Sequence, residues 1–240
     1  TKKPCVPILA VPTTAGTGSE VTQYSVLTNP VANTKMSIAH DAIFPTLAYC
    51  DARYMMNLSE KATIHTVIDA MSHAIEGYVS VQSNAVSDAW AEESLRLLGQ
   101  YIGELRGPLS LEARESLLYA STLAGIVIAQ TGTTLVHAMG YCLTYFKGID
   151  HGAANGFIFA DYLERISISE PAKVDLVLEL LGLEDIADFR GLMDYLLPEK
   201  PGLTPEECER FAAITMKTKA IHNTIFQVTA AQIADMYGNI

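Results

Sequence analysis

The sequence predicts a mainly α protein: a helical domain over 57–240, preceded by a short strand-bearing segment over 1–56. Three observations carry this reading. Apolar residues recur at helical spacing from Asn57 onward. The first fifty residues instead hold short β-branched or apolar runs punctuated by Gly, Pro and Asn. Nearly half of the 240 residues are hydrophobic and 18% are charged, which suits a chain with a large core.

The strands come first. "VPILAVPTT" (6–14) is an apolar run ending in polar threonines, "VTQYSVLT" (21–28) is rich in β-branched residues, and "TLAYCD" (46–51) ends at an acid. About fifty residues are too few for a complete α/β domain, so these strands call for partners from a segment ahead of residue 1. The absence of an initiator methionine fits a fragment. The N-terminus is basic and then apolar, as a leader would be, but Pro4, Pro7 and Pro12 interrupt it, and it reads as a buried strand.

The helices follow in order. In "NLSEKATIHTVIDAMSHAIEGYVS", Ile64, Val67, Ile68, Met71, Ala74, Ile75 and Tyr78 make an apolar face. Ser59 is its N-cap and Glu60 favours its first turn. A second helix spans 84–107. A third spans 109–132, nearly apolar in its second half and therefore central. A fourth spans 132–146 and a fifth 151–167. Four shorter amphipathic helices follow, separated by Pro or Gly.

Composition excludes several functions. The net charge is −11, which disfavours nucleic acid and anionic membranes as partners. No apolar run reaches the roughly 18 residues of a membrane span. Cys5, Cys50, Cys142 and Cys208 are scattered, with no CxxC, so the expectation is buried thiols in a reducing, cytoplasmic setting.

Two constellations carry chemistry. Asp69 and His73 are spaced i, i+4 on one helix face, and His65 extends the series backwards. His137 lies in an apolar helix and His151 just before Gly152. One carboxylate with two or three neutral imidazoles suits Fe(II) or Zn(II). From the residues alone, a hydrogen-bonded structural role is the commoner reading for each histidine and for the Asp69–His73 pair. The second constellation is "TTAGTGSEVT" (13–22). Gly16 and Gly18 allow close backbone approach, while Thr and Ser add donors for a phosphate or ribose. A plain structural turn is the competing reading. Lys35 could supply a cation to the same anion.

Together, "PTTAGTGSEVT", "DAMSHAIEGYVS" and "VHAMGY…DHGAANG" closely resemble the iron-containing (group III) alcohol dehydrogenases, in the family's order. The resemblance covers essentially the whole chain. It implies a dehydroquinate synthase-like architecture in which residues 1–56 are what remains of an α/β nucleotide-binding domain. It implies Asp69, His73, His137 and His151 as metal ligands, with Fe(2+) expected and zinc as the variant. It places Thr13, Thr14, Gly16, Ser19, Lys35 and Tyr141 beside NAD or NADP, and leaves His65 without a role. The implied reaction interconverts a small alcohol and an aldehyde or ketone by hydride transfer. Homo-oligomers are common in the family.

Two departures stand out. Tyr141 occupies a position where the family usually has histidine, and a phenol is a poor proton shuttle at pH 7. Asp150 stands where proline is common, and is expected either to cap the fifth helix or to hold a ligand histidine. The pyrophosphate-binding turn lies outside these residues, so weak dinucleotide binding is expected of the chain alone. The competing readings are a zinc-dependent glycerol dehydrogenase or dehydroquinate synthase-type enzyme, and an inactive helical module that only binds metal.

Overall fold

The computed structural model describes residues 5–31 and 34–240. The basic start, Thr1 to Pro4, and part of the "NTKMSI" segment lie outside them. The chain is mainly helical, as the periodicity predicts.

The strand segment is smaller than its apolar runs suggest. β1 (Leu9–Ala10) pairs in parallel with β4 (Leu47–Ala48), in register Leu9 with Leu47. Pro7 and Pro12, which lack an N–H for a ladder, bracket β1. Leu9 is 57% and Leu47 48% exposed. Parallel strands are ordinarily covered on both faces, and no other described strand pairs with either.

β2 (Tyr24–Asn29) and β3 (Thr34–Ala39) form an antiparallel hairpin. The sequence reading missed β3, although its alternation is clear in hindsight. Lys35 and Ser37 fall on the face of Val26 and Tyr24, while Met36 and Ile38 point away and are exposed. The hairpin is tethered at its base. Gln23 Nε2 donates to Ala129 O and Tyr24 Oη to Ile128 O, each at 3.0 Å. These carbonyls belong to the last turn of the helix Leu111–Thr131, where acceptors run short of helical donors, although Ile128 O also accepts from Gly132 N at 2.8 Å.

α1 (Glu60–Tyr78) starts where predicted, with Ser59 accepting from Ala62 N at 3.2 Å. It packs against α2 (Ala85–Gly99), α3 (Leu111–Thr131) and α5 (His151–Ser167). Val67, Ile68, Met71 and Ile75 are fully buried there. Each such side chain contributes about 1.5–3 kcal/mol by leaving water. α3 turns into α4 (Leu135–Lys147) through a bend of 109°. Gly132 makes the corner at φ +67°, and Asn223 Nδ2 occupies the space its side chain would need. No single helix among the described residues is long and apolar enough to cross a membrane.

The remaining helices, α6 (Pro171–Leu181), α7 (Ile186–Leu196), α8 (Pro205–Thr215) and α9 (Ala230–Gly238), close the bundle. Proline begins α6 and α8, and capping boxes at Thr204 and Thr229 fix the starts of α8 and α9.

The TTAGTGSE loop docks on this bundle by backbone contact. Gly18 sits at φ +57°, and a Cβ there would stand 2.5 Å from Gly125 Cα on α3. Gly18→Ala combines left-handed strain with overpacking, and is expected to cost about 2–4 kcal/mol. A urea midpoint matching the unmodified chain would refute this.

Candidate metal centre

α1, α4 and α5 converge at one point, and each brings a donor. α1 supplies Asp69 and His73 one turn apart. α4 supplies His137 in its first turn, and α5 supplies His151 as its first residue. All are buried except His151, which is half-buried.

The donor atoms of Asp69, His137 and His151 lie within 4.8 Å of one another. Asp69 Oδ1 is 3.7 Å from both His137 Nε2 and His151 Nε2. His73 Nε2 lies 3.9 Å from that oxygen and 3.1 Å from His137 Nε2. Four ligands held tetrahedrally at about 2.1 Å stand about 3.4 Å apart. Three of the four sequence-predicted ligands, Asp69, His137 and His151, thus converge near ligand spacing, and His73 stands beside Asp69 and His137.

Tautomers sharpen the point. His73 Nδ1 is 3.2 Å from Gly16 O, and a carbonyl can only accept, so Nδ1 carries the hydrogen. His137 Nδ1 contacts a Glu76 carboxylate oxygen, which also only accepts. With Nδ1 engaged on both rings, the two Nε2 atoms face each other at 3.1 Å across one shared position. Two bare lone pairs would repel at that distance, so the position suits a shared cation: a proton on His137, which Glu76 favours, or a metal ion. His151 Nδ1 is buried without a hydrogen bond, and its Nε2 faces Asp69 beyond hydrogen-bond distance. The donor set fits a divalent ion.

Glu76 is a residue the sequence reading missed. Its carboxylate is fully buried on the N-terminus of α4. Oε1 accepts from Thr134 N and Thr134 Oγ1, each at 2.7 Å, and from His137 N at 3.3 Å. Burial would raise its pKa, but His137 and these donors outweigh burial and hold it below the usual range. The helix N-terminus adds favourable field. A buried acid three residues after His73 in an apolar helix was the signal that could have found it.

Asn155, one turn into α5, was also missed. Its Nδ2 lies 3.3 Å from Asp69 Oδ1 and 3.2 Å from Ser72 Oγ. Gly140 makes room for it, since a Cβ there would stand 2.2 Å from Asn155 Oδ1.

Burial and charge set the protonation states. Burial lowers the His151 pKa to about 4, against the pull of Asp69. Burial also lowers His73. It opposes charge on His137 too, but Glu76 outweighs it and lifts that residue. For Asp69, burial is overcome by the three imidazoles, which hold the carboxyl down. Burial, then Asp69 and Glu76, push the Tyr141 phenol well up.

A cleft of about 560 Å³ opens over the cluster, between the β2–β3 hairpin and the helices. Ser19, Lys35 and Tyr141 line it, with Asp69, His73, His137 and His151 at its foot. The Tyr141 ring stacks on His151 at 5.5 Å and 16°. Thr17 and Thr22 of the loop also line the cleft, whereas Gly16, Thr13 and Thr14 sit elsewhere. Gly16 is buried against Thr66, where a Cβ would stand 2.7 Å from that residue's Cβ and carbonyl oxygen, and its own carbonyl serves His73. Thr13 and Thr14, exposed and half-buried, are not part of this cleft's lining.

Asp150 does neither thing expected of it. It stands at the N-cap position of α5 without a side-chain cap bond. Its Oδ2 instead accepts from His65 Nδ1 at 2.9 Å and pairs with Lys61 at 3.3 Å. These α1 side chains, Lys61 and His65, are the partners of the carboxylate. His65 is accordingly a structural residue that ties α1 to the start of α5.

A helical bundle that gathers one carboxylate and three imidazoles beneath an open cleft defines a class of metal-site domain. The particular family is shown by comparison. Residues 63–240 match the C-terminal profile of the Fe-containing alcohol dehydrogenase family, and residues 1–52 match the iron-containing alcohol dehydrogenase profile. The chain belongs to the iron-containing alcohol dehydrogenase family. It is 34% identical over 182 residues to an NAD-dependent methanol dehydrogenase of Bacillus methanolicus, covering 75% of this chain and 48% of the relative. It is 36% identical over 180 residues to a 1,3-propanediol dehydrogenase of Klebsiella pneumoniae, covering 75% and 46%. The structure of an iron-containing alcohol dehydrogenase of Thermotoga maritima superposes with a TM-score of 0.89 at 40% identity, covering 98% of this chain and 64% of that one. The chain spans about half the length of these curated relatives.

Proposed function

We propose that this chain is the metal-site portion of an NAD(P)-dependent oxidoreductase that interconverts a small alcohol and its aldehyde or ketone. The observation that carries the reading is the convergence of the Asp69, His137 and His151 donor atoms within 4.8 Å, with His73 Nε2 3.1 Å from His137 Nε2. Asp69, His73, His137 and His151 would hold a divalent ion, Fe(2+) by family and Zn(2+) by ligand chemistry. When bound, the metal supplies Lewis-acid polarisation of the substrate oxygen, and the dinucleotide exchanges the hydride.

The chain's own residues do the rest. Gly16 O and Glu76 keep His73 and His137 in the ligating tautomer. Ile128 and Val26 give the cleft apolar walls that limit water. Ser19 and Lys35 face the cleft as donors for an anionic cofactor, supported by the loop's small residues. Tyr141, its pKa pushed up, keeps its proton at neutral pH and acts as a hydrogen-bond donor rather than a base. Residues between Thr17 and Ser37 of the strand-bearing segment, Ser19, Val26 and Lys35 among them, form one wall of the cleft, and the helical part supplies the metal side. Four free cysteines support a reducing, cytoplasmic setting. The exposed apolar strands, Leu9, Leu47, Leu27 and Ile38 among them, support homo-oligomer contacts.

Anaerobic titration with Fe(II) and Zn(II), read by elemental analysis after gel filtration, tests this. One ion per chain is expected, falling at least about 100-fold in affinity in Asp69→Asn. A chain that takes up neither metal, or whose uptake ignores Asp69, would overturn the reading. A panel of small alcohols with NAD or NADP then reads the reaction.

A further inference from the structure

The wall of the cleft carries a charge pattern that holding a metal does not require. The chain has 27 acidic and 16 basic residues. Yet the cleft is lined by two lysines, Lys35 and Lys219, and by a single acid, Asp69. Asp69 is committed to the donor cluster. With its carboxylate so used, the wall is left cationic within an acidic protein.

The two lysines differ in position. Lys35 comes from β3, and its charge reaches His151. Lys219 comes from the opposite end of the chain and opens the 3-10 turn Lys219–Asn223. That turn is pinned. Asn223 Nδ2 donates to Thr133 O at 3.1 Å, Asn223 O accepts from Val81 N at 2.9 Å, and Thr224 bridges Ser80. Thr133 directly precedes Thr134, which Glu76 holds, and His137 follows three residues later. The base of Lys219 is therefore fixed relative to the donor cluster. Among the described residues, Lys219 forms no ion pair with any carboxylate. Thr17, Thr133 and Asn223 place neutral polar groups on the same wall.

We propose that Lys219 selects substrates carrying a negative charge remote from the reacting oxygen, such as a small hydroxy acid or the corresponding aldehyde acid. This rests on reading the site as one for alcohol–aldehyde interconversion. A primary ammonium at the rim of a cleft, facing no acid of its own, attracts such a tail and disfavours nothing in a neutral one. The surrounding negative surface makes the cationic wall a local focus for anions.

The test is a matched pair of ligands, 4-hydroxybutanoate and 1,4-butanediol, titrated by ligand-observed NMR into the metal-free and the zinc-loaded chain. The acid is expected to bind about fivefold more tightly than the diol in both forms. Lys219→Met is expected to reduce that ratio below about twofold while leaving the affinities for the diol and for NADH unchanged. Equal affinities in the unmodified chain, or a preference that survives in Lys219→Met, would overturn the proposal. So would a variant that weakens NADH instead of the acid, since Lys219 would then serve the dinucleotide. A chain that takes up no zinc yet keeps a Lys219-dependent preference would sink the metal reading and leave this one standing.

Discussion

Gly152→Ala is expected to abolish tight metal binding. Gly152 lies at the second position of α5, directly after His151, where the helix meets α1. A Cβ there would stand 1.7 Å from His65 O and 3.2 Å from Asp69 Cβ. The first clash is with backbone, so no side-chain rotation relieves it. The start of α5 must move away from α1, carrying His151 with it. His151 and Asp69 come from these two helices and now face each other at 3.7 Å. A displacement of even 1 Å takes one ligand out of range of an ion held by the others. Zinc affinity is expected to fall by about 100-fold or more, and unfolding free energy by about 3 kcal/mol. Competition titration with a chromophoric chelator and urea denaturation read the two effects. Gly103→Ala is the control, since nothing lies within 4 Å of a Cβ at Gly103. Zinc binding by Gly152→Ala at the unmodified affinity would show that α5 is not fixed by this contact.

The same geometry explains what could be read from sequence. Asp69 and His73 were legible because both lie on one helix, where i, i+4 spacing alone puts them on one face. His137 and His151 come from other helices, and no local spacing relates them to α1. Only the family motifs connected them. Gly152 was visible merely as a helix-opening glycine, because its need comes from α1 packing on it. Glu76 was overlooked although it lies within the same quoted stretch. It partners a histidine 61 residues away, and sequence does not display that contact. The signal available was its chemistry: a carboxylate among buried residues needs donors. Gly16 was read as making room for a ligand, and it does make room, but for α1. β3 escaped notice because a half-exposed strand of six residues with Lys and Ser on one face lacks a strong apolar pattern. The turn at Lys219 has no local signature either, since tertiary bonds from Asn223 fix it.

Glu76 offers the second large effect, and the choice of substitute decides what is learned. Glu76→Ala removes the acceptor for Thr134 N, Thr134 Oγ1, His137 N and His137 Nδ1 together. Fully buried donors are left unpaired at the start of α4, in a cavity the size of the lost side chain. A loss of about 3–5 kcal/mol of stability is expected. That result alone would be compatible with a purely structural acid. Glu76→Gln separates the roles, because the amide keeps the volume but has one acceptor oxygen instead of two. If that oxygen stays with the Thr134 N–H, the amide nitrogen faces His137 Nδ1 and donates to it. The imidazole then carries its hydrogen on Nε2, pointing at Asp69 and His73, where a ligand lone pair is required. Glu76→Gln is therefore expected to fold with a loss of only about 1–2 kcal/mol, yet to bind zinc or cobalt about 10- to 100-fold more weakly. Nitrogen-15 NMR of the His137 ring gives an independent reading, with the hydrogen moving from Nδ1 to Nε2 in the metal-free variant. A Glu76→Gln chain that holds metal as tightly as the unmodified one, with the His137 tautomer unchanged, would reduce Glu76 to a helix cap for α4 and nothing more.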